Sequence, residues 1–425
     1  MKLVCAPQDF AFKDDKGILD VVLYGKADRQ TRGSAGAVIK DQIINRNYHP
    51  APRAWDFLSL ALAVTAADLS GHRTKSPDGW TREFELEVSV ADATFWNAHR
   101  ETVAHALGFL TTDKWKVNFV DGGLAPKAPK KPVLPADDCV SLLSGGLDSF
   151  IGNIDLVAQG RRPFAVSQMV RGDGDNQRVF ARLIGGGLTH LQINHNVDVP
   201  DKESPPSQRA RSLIFIAYGV LAATTLKQYH QGEEIKLYAC ENGFISINPP
   251  LTPMRLGSLS TRTTHPVFLS LVQRVLDAAG LRVRVVNPYQ LKTKGEMLKE
   301  CRDAKLLQAH ACDTTSCGRY LQHGYKHCGR CIPCLVRRAA FVAVGMNDKT
   351  EYVYKNLGRD DKDHAGFDDV RSVAMAIVEA RAEGLEMWLG TALSTALLGD
   401  VALLQAMVGR GLGELQMLFK QHGIK

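Results

Sequence analysis

No apolar run in this 425-residue chain approaches the roughly 20 residues that a membrane-spanning helix needs, and the N-terminal stretch carries no signal-peptide core. Those absences argue against a helical membrane protein and a secreted one; the expected compartment is the cytoplasm, with no membrane partner. Two phosphate-binding signatures are also missing, since neither G-x-x-x-x-G-K-[ST] nor G-x-G-x-x-G occurs. The net charge of +7 is spread thinly and no dense basic patch stands out, which disfavours a nucleic-acid partner. Cysteine is sparse except in one place. Of nine cysteines, Cys312, Cys317, Cys328, Cys331 and Cys334 crowd into one short stretch, an arrangement for metal in a reducing compartment and not for a disulfide framework.

The chain is organised around Ser144-Gly145-Gly146-Leu147-Asp148-Ser149. This segment follows the apolar run Cys139–Leu143 and opens an apolar-periodic stretch at Phe150, Ile151, Ile154, Leu156 and Val157. Strand, glycine turn and helix start in succession make a phosphate site. Glycines let the backbone come close, and the free N–H groups of the first helical turn point at an anion.

At 425 residues, two or three domains are expected. Residues 1–120 read as an N-terminal α+β accessory domain with strands at Leu19–Tyr24, Phe84–Val90 and Trp115–Phe119, and with helices from Trp55 and over Trp96–Leu107. Residues 121–137, with Gly-Gly, several prolines and three lysines, read as a linker. From residue 138 strands and helices alternate. Strands are expected at Pro163–Val170, His190–Asn194, Ile235–Cys240 and Leu281–Val286, and helices at Asn176–Ile184, Gln208–Leu226 and Val267–Ala279. The expected fold class is therefore α/β, a doubly wound parallel sheet with ligands over the carboxyl ends of its strands. Residues 341–425 read as a helical tail (Val370–Arg381, Leu385–Leu398, Val401–Val408), with Gly399, Gly409, Gly411 and Gly413 marking turns.

Within residues 312–337, Cys328-Gly329-Arg330-Cys331-Ile332-Pro333-Cys334 places three thiolates on a tight knuckle, and Cys317 is the preferred fourth ligand. Zn²⁺ takes four tetrahedral ligands at about 2.3 Å, and short C-x-x-C turns hold two thiolates at that separation. Four sulfurs leave no open position, so the expected Zn²⁺ is structural. An iron–sulfur cluster is the alternative occupant, and Cys312, His323 and His327 are spare ligand candidates.

Ser144 to Ser149 resembles the pyrophosphate loop (PP-loop) of ATP pyrophosphatases. Together with Thr315-Ser316-Cys317 leading to Cys328-Gly-x-Cys331-x-x-Cys334-x-x-Arg337, it resembles the QueC family of 7-cyano-7-deazaguanine synthases. Two weaker matches lie between: Arg211-Ser212-Leu213-Ile214-Phe215 is similar to the family's R-N-x-x-F helix, and Lys292–Met297 to its K-x-E-[IM] stretch. The resemblance covers roughly residues 138–340, the expected ATPase domain. It implies an ATP-dependent C–N ligase that adenylates a 7-deazaguanine carboxylate and releases pyrophosphate. ATP and Mg²⁺ would be bound at Ser144, Gly145, Gly146, Leu147, Asp148 and Ser149, with Asp148, Lys294 and Arg211 serving catalysis.

Three departures accompany the resemblance. The family's deazaguanine-pocket stretch after the fourth strand is replaced by Glu241–Pro250 and, beyond it, Arg255–Pro266; Glu241, Asn242, Arg262 and His265 are the substrate candidates there. The family also lacks the first 135 or so residues and the helical tail. Those extensions look like the QueC-like proteins of bacterial anti-phage defence operons, among them the QatC component of the Qat system. That likeness implies partner proteins, one of which residues 1–120 would dock and whose amine would accept the activated deazaguanine. Two rivals stay open: a PP-loop tRNA-modifying enzyme, for which Cys240 would be the reactive cysteine, and a nucleotide-sensing scaffold. A homodimer is compatible with each reading.

Overall fold

The structure is a computed structural model that describes every residue except 14, 29, 170–171, 205–206, 208, 253–261, 359–368, 394–396 and 425; for Thr391 only the backbone is described. Arg255–Thr261 of the segment that replaces the family pocket thus lies outside the described residues, as do the end of the expected strand Pro163–Val170 and the start of the helix expected from Gln208.

Two parallel five-stranded sheets carry the fold. In the first, β1 (Lys2–Pro7), β2 (Ile18–Leu23), β3 (Gly33–Ala35), β4 (Glu83–Val90) and β5 (Lys114–Asp121) lie in the order β3-β2-β1-β4-β5. In the second, β6 (Cys139–Leu142), β7 (Pro163–Gln168), β8 (His190–Ile193), β9 (Ile235–Tyr238) and β10 (Val283–Val286) lie in the order β10-β9-β6-β7-β8. The expected doubly wound parallel sheet is this second one. Its central strand, β6, feeds the glycine turn at the point where the strand order reverses, the usual ligand position in such sheets.

The first region differs from its α+β expectation, because every pairing in its sheet is parallel. The difference has a sequence cause. β3 is only three residues long and β1 (Lys-Leu-Val-Cys-Ala-Pro) shows no clean alternation, and without them the directions of the remaining strands were unconstrained. Helix Pro52–Ser70 is buried on nearly all sides, consistent with its wedging between the two sheets. It packs on the first sheet and on helix Arg211–Ala223 of the second. One apolar core therefore runs from Leu3, Val21 and Leu86 through Leu58 and Leu62 to Val140, Phe164 and Leu237. The edge of the first sheet also touches the second unit directly: Ser34 and Asp198 exchange backbone hydrogen bonds of 2.7 and 2.9 Å. The connection 122–138 has no regular structure, as its prolines and glycines lead one to expect.

The C-terminal helices span Asp369–Glu383, Leu385–Leu393 and Val401–Gln421. The last was expected to stop at Val408, with glycines breaking it afterwards. It runs instead straight through Gly409, Gly411 and Gly413. Two of these glycines serve contact, not turning: a Cβ on Gly411 would lie 2.2 Å from the Phe244 ring, and one on Gly409 would lie 3.3 Å from Leu385.

That distinction yields a paired test. Gly411→Ala drives a methyl into Phe244 and is expected to cost about 1–3 kcal/mol. Gly413→Ala, with nothing within 4 Å of the added Cβ, is expected to stabilise by up to about 1 kcal/mol through helix propensity. Denaturant titration of the two variants reads both signs.

Candidate active site and metal centre

The loop between β6 and helix Leu147–Ala158 is built from its own side chains. Gly145 has φ +89°, a left-handed conformation that a side chain disfavours. Gly146 is the residue preceding the helix and offers no capping side chain, so the first-turn N–H groups have no side-chain acceptor. A Cβ on Gly146 would sit 3.0 Å from the Thr315 carbonyl, and Thr315 N–H donates to Gly145 O at 3.0 Å. The serine pair brackets the turn. Ser149 Oγ lies 3.0 Å from Ser144 Oγ, accepts from Ser144 N–H at 3.2 Å and donates to Gly146 O at 3.0 Å. Gln177 Nε2 donates to the carbonyls of Ser144 and Gln168, both at 3.0 Å, which ties the loop to the end of β7. This cradle of backbone amides closed by glycines fits a polyphosphate.

Asp148, in the first turn of the helix, faces the β9 side. Its Oδ2 accepts from Asn242 Nδ2 at 2.7 Å and from Asn242 N–H at 3.2 Å, and its Oδ1 pairs with Lys294 Nζ. All three residues are buried. Lys294 opens helix Lys294–Glu300, whose start is fixed by a capping box between Thr293 and Glu296. Glu241 joins them at the end of β9, its carboxylate accepting from Thr264 Oγ1. Burial pushes the Glu241 carboxyl up from an ordinary 4.5 to about 7; the Thr264 bond opposes that, Asp148 adds to it, and Lys294 opposes it.

The remaining expected site residues fall elsewhere around this centre. Arg211 lies on the other flank, with its guanidinium 5.2 Å from the Phe215 ring and its charge felt by Asp173, the residue before helix Gly174–Leu183. Asp173 in turn packs beside Gly145, since a Cβ there would lie 3.5 Å from its own. Burial, with the charge of Arg211 adding to it, pushes the His195 imidazole down to about 4. Arg262 and His265 turn towards the first region. Arg262 NH1 donates to Phe109 O at 2.9 Å, and its guanidinium stands 4.6 Å from the Phe109 ring. His265 Nδ1 accepts from Val267 N–H at 3.2 Å, and its ring lies 5.1 Å from the same phenylalanine. Glu241, Asn242, Asp148 and Lys294 therefore converge, while Arg262 and His265 line the contact with helix Arg100–Thr111. Sequence reasoning missed Thr315 and Gln177 as loop supports. Thr315 adjoins a recognised motif; Gln177 carries no local signal.

The sulfurs of Cys317, Cys328, Cys331 and Cys334 lie within 4.8 Å of one another, with Cys317–Cys331 and Cys328–Cys334 both at 3.9 Å. Four thiolates about 2.3 Å from one ion stand roughly 3.8 Å apart, so the set fits tetrahedral Zn²⁺. Backbone N–H groups of Arg319 and Cys328 point at Cys317 Sγ at 3.3 Å, and Cys331 N–H points at Cys328 Sγ at 3.3 Å, an arrangement that stabilises thiolate charge. The spare ligands are committed elsewhere: His327 Nε2 accepts from Ser316 N–H, and Cys312 Sγ accepts from Lys349 N–H. Arg337 joins this centre to the loop. Fully buried, it donates from NH1 to Thr314 Oγ1 at 2.9 Å and Ser316 Oγ at 3.1 Å, and from NH2 to Ala311 O at 2.6 Å. It thereby fixes the strip whose Thr315 closes on Gly145.

A parallel α/β sheet with an S-G-G-L-D-S turn on its central strand, closed from the side by a four-cysteine knuckle, defines the class. Comparison places it more narrowly. Residues 263–345 match the family model of QueC, a queuosine biosynthesis protein. The chain is 27% identical over 186 residues to 7-cyano-7-deazaguanine synthase 1 of Mesorhizobium japonicum, covering 42% of this chain and 70% of that one. It is likewise 27% identical over 189 residues to the 7-cyano-7-deazaguanine synthases of Brucella canis and Brucella suis, with the same shares. This part of the chain is therefore homologous to 7-cyano-7-deazaguanine synthases. No helix among the described residues is long and apolar enough to cross a membrane.

Two outcomes are expected here. Elemental analysis should give one equivalent of zinc per chain and no iron, and Cys331→Ser should lose the metal and melt at a lower temperature. For Glu241, the unfolded chain ionises before the folded one. Its contribution to stability therefore falls as pH rises from about 4.5 to about 7, and Glu241→Gln abolishes that loss. Melting temperatures across this window should move in favour of the variant as pH rises.

Proposed function

We propose that the chain is a QueC-like ATP-dependent ligase. It adenylates the carboxylate of 7-carboxy-7-deazaguanine or a relative, releases pyrophosphate, and passes the acyl group to nitrogen. The nitrogen is either ammonia, giving an amide whose oxygen a second ATP adenylates so that AMP leaves and the nitrile forms, or an amine of a partner protein in anti-phage defence. The observation that carries this reading is the buried meeting of Asp148, Asn242 and Lys294 beside the glycine cradle.

The chemistry gives each group work. A carboxylate cannot expel oxide, so its oxygen attacks the α-phosphorus of ATP, and the acyl adenylate then offers AMP as a leaving group. The loop amides at Gly145, Gly146 and Leu147 would hold the departing pyrophosphate, whose negative charge grows as the bond breaks. Lys294 on one flank and Arg211 on the other would balance that charge. Asp148 would keep the Lys294 ammonium at the loop; Mg²⁺ bound with ATP would neutralise phosphate oxygens. The zinc site has no open position and no part in the reaction. Glu241, whose carboxyl burial pushes up to about 7, would take the proton that the attacking amine must lose.

A tRNA-thiolating reading draws less support. Cys240 is buried against Gly152, where a Cβ would lie 2.4 Å from its sulfur, and burial pushes its thiol up, away from the thiolate such chemistry requires.

Pyrophosphate release from ATP should depend on 7-carboxy-7-deazaguanine and fall about 10²–10³-fold in Asp148→Ala and Lys294→Ala. Intact-mass measurement of candidate partners, incubated with enzyme, ATP and the acid, separates protein conjugation from nitrile formation. No release with any deazaguanine would overturn the reading.

A further inference from the structure

The two groups that hold the Asp148 carboxylate stand on different segments, and both segments rest on the C-terminal helix Val401–Gln421. Asn242 precedes the short helix Gly243–Ile247. Gly243 lies under Met407, 3.0 Å from where its Cβ would be, and Phe244 fills the space left by Gly411. Lys294 sits between Thr293 and Gly295, and Glu414 grips both. Thr293 Oγ1 donates to Glu414 Oε1, and Gly295 N–H donates to Glu414 Oε2 at 3.3 Å. A Cβ on Gly295 would lie 2.4 Å from Glu414 Oε1, so the carboxylate occupies the space that a side chain would take. One turn earlier, Arg410 completes the grip. Its Nε donates to Glu296 Oε1 at 2.6 Å and its NH2 to Leu291 O at 2.9 Å. The two segments are themselves tied, Gly243 N–H donating to Lys292 O at 2.7 Å.

Resting on the nucleotide-site reading above, we infer that Glu414 is a positioning residue of the active site: it fixes the first turn of helix Lys294–Glu300 so that the Lys294 ammonium stays on Asp148 beside the loop. A negative group at a helix N-terminus is favourable in its own right. Here it also removes the freedom of the two residues flanking the lysine. The C-terminal helix, which falls outside the QueC match of residues 263–345, is thus a working part of the site.

A double-mutant cycle tests this on the full-length protein. Glu414→Ala is expected to lower kcat for pyrophosphate release about tenfold with little change in KM for the carboxylate, and Glu414→Gln, which keeps one acceptor oxygen, to recover part of it. Lys294→Ala combined with Glu414→Ala should be no slower than Lys294→Ala alone, whereas multiplying effects would overturn the inference. Gly413→Ala on the same helix serves as the unchanged control. A second readout needs no turnover: amine-reactive labelling of Lys294, followed by peptide mass spectrometry, should accelerate several-fold in Glu414→Ala and Glu414→Gln. Unchanged labelling would overturn the positioning role. A wild-type protein without pyrophosphate release whose Lys294 labelling still responds to Glu414 would sink the functional reading and leave the positioning role standing.

Discussion

The buried pairing of Asp148 with Lys294 and Asn242 is the constraint on which the rest of the site depends. An ion pair taken out of water loses solvation that Coulomb attraction restores only when geometry is tight and the remaining lone pairs are satisfied. Here the carboxylate accepts three hydrogen bonds from two residues. Those residues lie at opposite ends of a long excursion of the chain, 94 and 146 positions from Asp148. Removing either partner would leave a buried charge uncompensated, so the segments after β9 and β10 must be held to the helix after β6. The apolar contacts of Gly243 and Phe244 with the C-terminal helix, and the polar ones of Thr293 and Gly295, supply that hold.

The opposite side of the loop is held by different chemistry. Arg337, on the helix that follows the cysteine knuckle, satisfies the carbonyls and hydroxyls of residues 311–316 from the inside. A guanidinium with its donors so engaged is a rigid bracket, and Thr315 on that bracket closes the Gly145–Gly146 turn. The four cysteines thus act on the loop from a distance: a metal held by them would order the knuckle, the knuckle starts the helix, and the helix carries Arg337. The serine pair and Gln177 complete the turn from within. The turn itself needs such external bracing, because Gly145 and Gly146 have no side chains to pack.

How much of this was legible in the sequence depends on whether a residue's partner is local. Ser144 to Ser149 and the four cysteines could be read outright, since strand, turn, helix and knuckle are set by neighbours within a few positions. Lys294 was legible only through its resemblance to a family stretch, and nothing in its surroundings pointed to Asp148. The parallel order of the first sheet was hidden in the three-residue β3 and in β1, which carries no clean alternation and pairs on one side with the distant β4. Gly409 and Gly411 misled for a physical reason. Glycine breaks helices in isolation, yet a helix pressed against an aromatic ring needs a residue without a Cβ, and Phe244 lies 167 positions before Gly411 in the sequence. Glu414 gave no signal at all, as a lone carboxylate on a helix reads as solvated surface.

The placement of Arg262 and His265 ties the segment after β9 to the first region. In the structure these features meet at one residue: the Phe109 ring receives both Arg262 and His265, and its carbonyl accepts the Arg262 hydrogen bond. Helix Arg100–Thr111 of the first region packs along helix Pro266–Ala278 at the same seam. Glu241 bonds to Thr264, two residues from Arg262, so the carboxyl beside Lys294 is linked to that seam through a single hydroxyl.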